Sequence, residues 1–189
     1  EVRSGRWGEV QAVASHNYED WQPFITGTWR DDPRLNPGGF IGDAGSHKID
    51  QVFFVTGLKP EEVFARCSTC DSRVEIVCAA AALLTGDVPW SIDFVGHAQN
   101  LGEDLYVHCR DADLMIRDRR LWIGRKGSVE PIVDLDPETN PNSGFVDLLL
   151  GEAENLAPFE CALPVYDFTR AVLESGRTGH NVRIDSTLQ

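Results

Sequence analysis

The strongest candidate for chemistry in this chain is residues 38–50, which read Gly-Gly-Phe-Ile-Gly-Asp-Ala-Gly-Ser-His-Lys-Ile-Asp. Asp43 and His47 are four apart, and Asp50 follows His47 by three. On a helix these three share one face. A carboxylate within reach of an imidazole fixes which ring nitrogen carries the proton, as general acid–base work requires. The same spacing also arises on solvated helix faces as an ordinary surface pair, and spacing alone leaves both readings open. Gly38, Gly39, Gly42 and Gly45 lower helix propensity, so a missing side chain has a job here. Close approach of a ligand or of a second backbone is that job.

The elements around this segment must hold it in place. A loop rich in turn formers runs from Asp31 to Gly39 and leads into a helix expected over Gly42 to Phe54. Ile41, Ala44, Gly45, Ile49, Val52, Phe53 and Thr56 fall on one side of it. Gly57 and then Pro60 stop it. A first strand is expected over Glu9 to Ser15. Further strands are expected over Glu75 to Leu84, Trp90 to Val95, Leu105 to Cys109, Leu114 to Arg117 and Leu121 to Ile123, in meander order. Asp134 to Ser143 reads as a loop. Phe145 to Leu150 and Ala157 to Ser175 read as helices, the second with a stripe of Val165, Phe168, Val172 and Leu173. Pro164 either kinks that helix or marks its start. Asn181 to Ile184 closes the chain as a strand. The predicted class is α+β, a mainly antiparallel open sheet with helices packed on one face.

Composition narrows the function. The chain has 189 residues and a net charge of −13. That charge argues against nucleic acid and anionic membranes as main partners. The longest apolar run, Ile76 to Leu84, is too short to span a bilayer as a helix. Cys67, Cys70, Cys78, Cys109 and Cys161 form an odd, scattered set, which suggests a reducing, cytoplasmic compartment. Cys67-Ser68-Thr69-Cys70 is a lone CxxC without two further ligands at zinc spacing, and it falls in a strand or turn rather than at a helix start, so a structural role is expected over a metal or redox one, and no metal is expected. Arg117, Arg119, Arg120, Arg125 and Lys126 read as a solvated sheet edge, or else as a contact for a phosphate or an acidic subunit. His16, His97, His108 and His180 read as structural. Trp21, Trp29, Trp90 and Trp122 suit burial or sugar stacking. The strand Glu75 to Leu84 is apolar on both sides, so burial on both is expected, and with it homo-oligomerisation through the sheet.

The string G-G-x-x-x-D-x-G-x-H-x-x-D, preceded by Trp29-Arg30, resembles the signature of the C-terminal domain of the Gfo/Idh/MocA oxidoreductases, which include glucose–fructose oxidoreductase and inositol dehydrogenase. Four flanking stretches are similar to that domain in the same order. They are Ser4-Gly5-Arg6-Trp7-Gly8-Glu9-Val10, Gly57-Leu58-Lys59-Pro60-Glu61-Glu62-Val63, and a closing pair of Phe145-Val146-Asp147 and Ala171 to Gly179. The resemblance runs nearly end to end and implies one substrate-binding and oligomerisation domain over 1–189, of the dihydrodipicolinate-reductase-like type. It implies that His47 takes or gives a substrate hydroxyl proton while Asp43 orients and charge-balances it. Arg30, Trp29 and Asp50 are implied as substrate neighbours, and a sugar or polyol as substrate. NAD or NADP is implied as cofactor, bound by a Rossmann domain.

That Rossmann domain is absent from these 189 residues. No G-x-G-x-x-G follows a strand, and Gly38-Gly39-Phe40-Ile41-Gly42 has the wrong spacing and follows a loop. The Glu-Lys-Pro type segment that carries the family's lysine is missing too. The chain begins Glu1-Val2-Arg3, and it is expected to be a piece of a longer or processed product. By itself it should not turn over. The alternative is a stand-alone binding or scaffold module that keeps the fold without the cofactor domain.

Overall fold

A computed structural model of the chain describes residues 1–135, 137 and 140–185. Positions 136, 138 and 139 of the expected Asp134–Ser143 loop lie outside the described residues.

The chain opens on strand β1 (Val10–Asp20), followed by a one-turn helix α1 (Gln22–Ile25), a 3-10 turn (Trp29–Asp31), α2 (Gly39–Gly42) and α3 (Ala44–Thr56). Seven strands come next: β2 (Pro60–Ser68), β3 (Val77–Leu84), β4 (Val88–Val95), β5 (His97–Cys109), β6 (Asp113–Arg117), β7 (Arg120–Arg125) and β8 (Ser128–Pro131). Then follow α4 (Pro141–Leu150), a 3-10 turn (Phe159–Cys161), α5 (Ala162–Thr178) and β9 (Val182–Arg183). Among the described residues the nine strands make one sheet, ordered β8-β7-β6-β5-β1-β4-β3-β2-β9. All neighbours are antiparallel except β1 and β4. The exception follows from the path. The chain leaves central β1 through α1 to α3, re-enters far away at β2, and meanders back until β4 lies beside β1. It then meanders outward again from β5.

One face of this sheet carries the core. Val63, Ala65, Cys78, Trp90, Ile92, Phe94, Leu105 and Val107 are buried there against Ile49, Val52 and Phe53 of α3 and Phe168 and Val172 of α5. Trp90 stacks on Phe168 with centroids 5.0 Å apart, and Phe53 meets both edge-on. The Trp90 indole N–H would be costly to bury unpaired, and it donates to Ser15 Oγ at 3.0 Å. Among the described residues the other face is left uncovered, and Ala79, Ala81 and Leu83 of β3 are exposed there.

The α+β reading and the helix faces agree with the structure. Several boundaries differ. β1 runs five residues past Ser15, and β5 begins at His97 rather than Leu105, because polar outer residues hide the alternation at the strand ends. Pro60, read as a helix stop, also opens β2, the place in a strand where a missing N–H is tolerated. Pro164 is the third residue of α5, so it marks the start of the helix rather than kinking it.

Candidate active site

The helical segment expected to begin at Gly42 is broken at Asp43. This residue has φ −91° and ψ −96°, so it joins α2 to α3 instead of continuing either. The break changes where its carboxylate points. Among the described residues no hydrogen bond or ion pair joins Asp43 to His47. Arg30 Nε donates to Asp43 Oδ2 at 2.7 Å. The direct partner of the Asp43 carboxylate is thus Arg30 and not His47, because the four-residue spacing puts two side chains together only on an unbroken helix.

Arg30 is itself well held. Its backbone N–H donates to Thr28 Oγ1 at 3.2 Å, and its carbonyl accepts from Asn36 Nδ2 at 2.8 Å. Its guanidinium lies over the Trp29 ring, 4.4 Å from the centroid. Cation, aromatic face and carboxylate thus form one stack. The Trp29 ring is exposed, which leaves it free to lie against a ligand.

His47 projects from α3 into a cavity of about 740 Å³ between α3 and α5. Ser46 and Asp50 line the same cavity, so the shared face of His47 and Asp50 matches the expectation. The far wall comes from α5 through Tyr166, Thr169 and Arg170, with Asn36 and Pro37 at one side. The Arg170 guanidinium lies 5.7 Å from the Tyr166 ring centre. Sequence reasoning did not single out Tyr166, Thr169 or Arg170. Their only signal is that they flank the buried Val165–Phe168–Val172 stripe, and which element faces that flank is a tertiary fact. A second cavity of about 300 Å³ lies near the far end of α3, among Phe54, Leu105, Met115 and Trp122. Its lining is mostly apolar, with Glu1 and Arg3 as its charged members, and it holds none of His47, Asp43, Arg30, Trp29 or Asp50.

The glycines serve backbone packing. Gly39 has φ +51°, and a Cβ there would come 2.2 Å from Glu75 O. The next amide, Phe40 N–H, donates to that carbonyl at 2.8 Å. Gly45 lies under the Phe94 ring, which a Cβ would approach to 3.1 Å. At Gly39 the close approach is thus to a second backbone, and at Gly45 it is largely to a buried ring. The segment does not fit a dinucleotide, because the space above Gly39 is filled by the chain and the Phe40 amide is already used.

Among the described residues no group of three or more His, Cys, Asp or Glu side chains is arranged to hold a metal, and no helix is long and apolar enough to cross a membrane.

Residues 1–113 match the family described as the GFO/IDH/MocA C-terminal domain. No protein with a curated description matches the chain. Solved structures do match. Levoglucosan dehydrogenase in complex with NADH and levoglucosan superposes with a TM-score of 0.83 at 14% identity, over 98% of this chain and 62% of that one. An NAD binding oxidoreductase from Klebsiella pneumoniae gives 0.82 at 16%, over 97% and 61%. Aldose-aldose oxidoreductase from Caulobacter crescentus complexed with glycerol gives 0.79 at 18%, over 97% and 58%. The chain thus spans about three fifths of the length of the structures it resembles.

Proposed function

The chain belongs to the GFO/IDH/MocA family, and on that premise we propose that residues 1–189 are the substrate-binding and oligomerisation domain of an NAD(P)-dependent oxidoreductase acting on a CH–OH group of a sugar, polyol or related compound. The observation that carries this reading is the mouth between α3 and α5. His47 stands there with Ser46, Asp50, Tyr166, Thr169 and Arg170, a set of donors and acceptors dense enough to bind several hydroxyls at once. His47 takes or gives the substrate hydroxyl proton. Arg30 and Asp43 form an ion pair that does not itself line this cavity, and the exposed Trp29 ring next to that pair offers an apolar face to a sugar. NAD or NADP is held by a nucleotide-binding domain outside these residues.

Homo-oligomerisation belongs to the same reading. The uncovered sheet face shows Phe64, Ala79, Ala81 and Leu83 side by side on β2 and β3. Small side chains there let a second sheet approach closely. A cytoplasmic setting fits five cysteines that are all free.

The test uses the complete natural protein. His47→Ala is expected to lower kcat at least about 100-fold, the lower range for a lost general acid–base group. Nucleotide affinity, read by NADH fluorescence, should not change. His47→Gln, which keeps a polar side chain of similar size but cannot exchange the proton, should lower kcat as well. An unaltered kcat in both variants refutes the acid–base role. A natural protein of 21 kDa with no turnover on either nucleotide would instead support the stand-alone module.

A further inference from the structure

Two thiols outside the site face each other across the sheet. Cys67 on β2 and Cys78 on β3 are direct partners in the antiparallel ladder, with their Sγ atoms 3.3 Å apart in hydrogen-bonding contact. Directly opposed residues in such a ladder have Cα separations inside the range a disulfide spans. Both side chains lie on the helix-covered face. Cys78 is buried, whereas Cys67 is half-buried beneath Gly176 of α5, where a Cβ would come 2.9 Å from its sulfur. Among the described residues, β9 pairs with β2 only at Glu62 and Val63, so the backbone edge beside Cys67 has no ladder partner. The shared hydrogen bond holds the Cys67 thiol below its ordinary pKa, and the same contact together with burial pushes Cys78 up. Cys67, half-buried where Cys78 is buried, is the thiol that a small disulfide reaches first, which makes it the nucleophile.

We propose that Cys67 and Cys78 are a site of reversible disulfide formation that reacts with low-molecular-weight disulfides of the glutathione type. The Cys67 thiol loses its proton to solvent, and the thiolate attacks one sulfur of oxidised glutathione. The S–S bond of glutathione breaks and one glutathione thiolate leaves. Cys78 then loses its proton and attacks the Cys67 sulfur of the mixed disulfide, expelling the second glutathione. Two cysteine thiols are oxidised, and one glutathione disulfide is reduced to two thiols.

The bridge closes the base of the loop between β2 and β3, on which the site's frame rests. Gln22 Nε2 donates to Cys70 O and to Ser72 Oγ, Arg73 N–H donates to Asp31 Oδ1 at 3.0 Å, and Phe40 N–H donates to Glu75 O at 2.8 Å. The segments that carry Arg30 and lead to Asp43 are therefore anchored to the loop that the two cysteines would staple.

The complete protein is incubated with oxidised glutathione, its remaining thiols are alkylated, and it is digested with trypsin. Cleavage after Arg66 and Arg73 leaves Cys67 and Cys70 in peptide 67–73 and Cys78 in peptide 74–110 with Cys109. A second digestion with chymotrypsin separates Cys78 from Cys109. The expected result is loss of two alkylatable thiols in more than half of the chains, with peptide 67–73 linked to the Cys78 fragment and the link reversed by dithiothreitol. Cys70→Ser keeps the link. Cys67→Ser abolishes it, and this half-exposed position is the variant of choice because Cys78→Ser disturbs the core. A bridge confined to peptide 67–73, a link to the Cys109 fragment, glutathione retained as the final adduct, or five thiols still alkylated would each overturn the proposal.

Discussion

Gly39→Ala separates two explanations of the glycine-rich segment. If Gly39 exists to let a ligand approach, alanine weakens binding and leaves the fold intact. If it exists to let two stretches of backbone touch, alanine destabilises the fold before any ligand is added. The geometry supports the second. Gly39 sits at φ +51°, which costs an alanine about 1 kcal/mol or more. The added Cβ would meet Glu75 O at 2.2 Å and Glu75 N at 2.7 Å, both backbone atoms with no rotamer to retreat into. Relief requires the Phe40 N–H to Glu75 O bond to open, which strands a buried donor at about 1–3 kcal/mol. The expected loss is about 3 kcal/mol, or a fall in Tm of roughly 6–12 °C for a chain of this size. Gly27→Ala is the control. Gly27 has φ +76°, but nothing lies within 4 Å of the place its new methyl group would take, so only the conformational cost of about 1 kcal/mol remains. Urea unfolding of both variants, with m-values compared, is the assay. Equal midpoints for the two would refute the packing argument, and a Gly39→Ala protein as stable as the wild type but impaired in binding would return the glycine to the ligand.

Two other outcomes follow from the core and the surface. Phe168→Ala removes a fully buried ring that touches Trp90 and Phe53. The expected loss is about 3–5 kcal/mol by chemical denaturation, and a loss under about 1 kcal/mol would mean that α5 does not pack as described. The Asp32 carboxyl is held well below the usual range, first by the side-chain hydrogen bonds of Arg34 and then by its backbone N–H. Because the folded value is depressed, the contribution is fully present above the ordinary value of about 3.9 and is lost as the pH falls through the lowered one. Carboxyl-carbon NMR of Arg34→Ala should show the Asp32 titration moving up toward that ordinary value. An unmoved titration would exclude Arg34 as the cause.

What could be read in the sequence was whatever depends on one element at a time. The buried side of α3 follows from the recurrence of Gly45, Ile49, Val52, Phe53 and Thr56, and Gly57 closes the helix with φ +71° as a glycine at that place should. His47 and Asp50 share a cavity because they are three apart on that unbroken stretch. The partner of Asp43 was hidden for the complementary reason. Spacing fixes direction only while the backbone repeats, and the repeat stops at Asp43, whose ψ of −96° turns the carboxylate toward Arg30, thirteen residues earlier. No local pattern encodes that pairing. It depends on the Thr28 and Asn36 hydrogen bonds that hold Arg30, and on the loop after β2 that supports Asp31 and Phe40 from more than thirty residues away. The wall of the cavity formed by Tyr166 and Arg170 comes from further still, about 120 residues beyond His47 in sequence. The same distinction applies to Cys67 and Cys78. As half of a CxxC, Cys67 points to nothing. Its partner is set by the register of β2 against β3, and a one-residue slip of either strand would turn one sulfur to the opposite face.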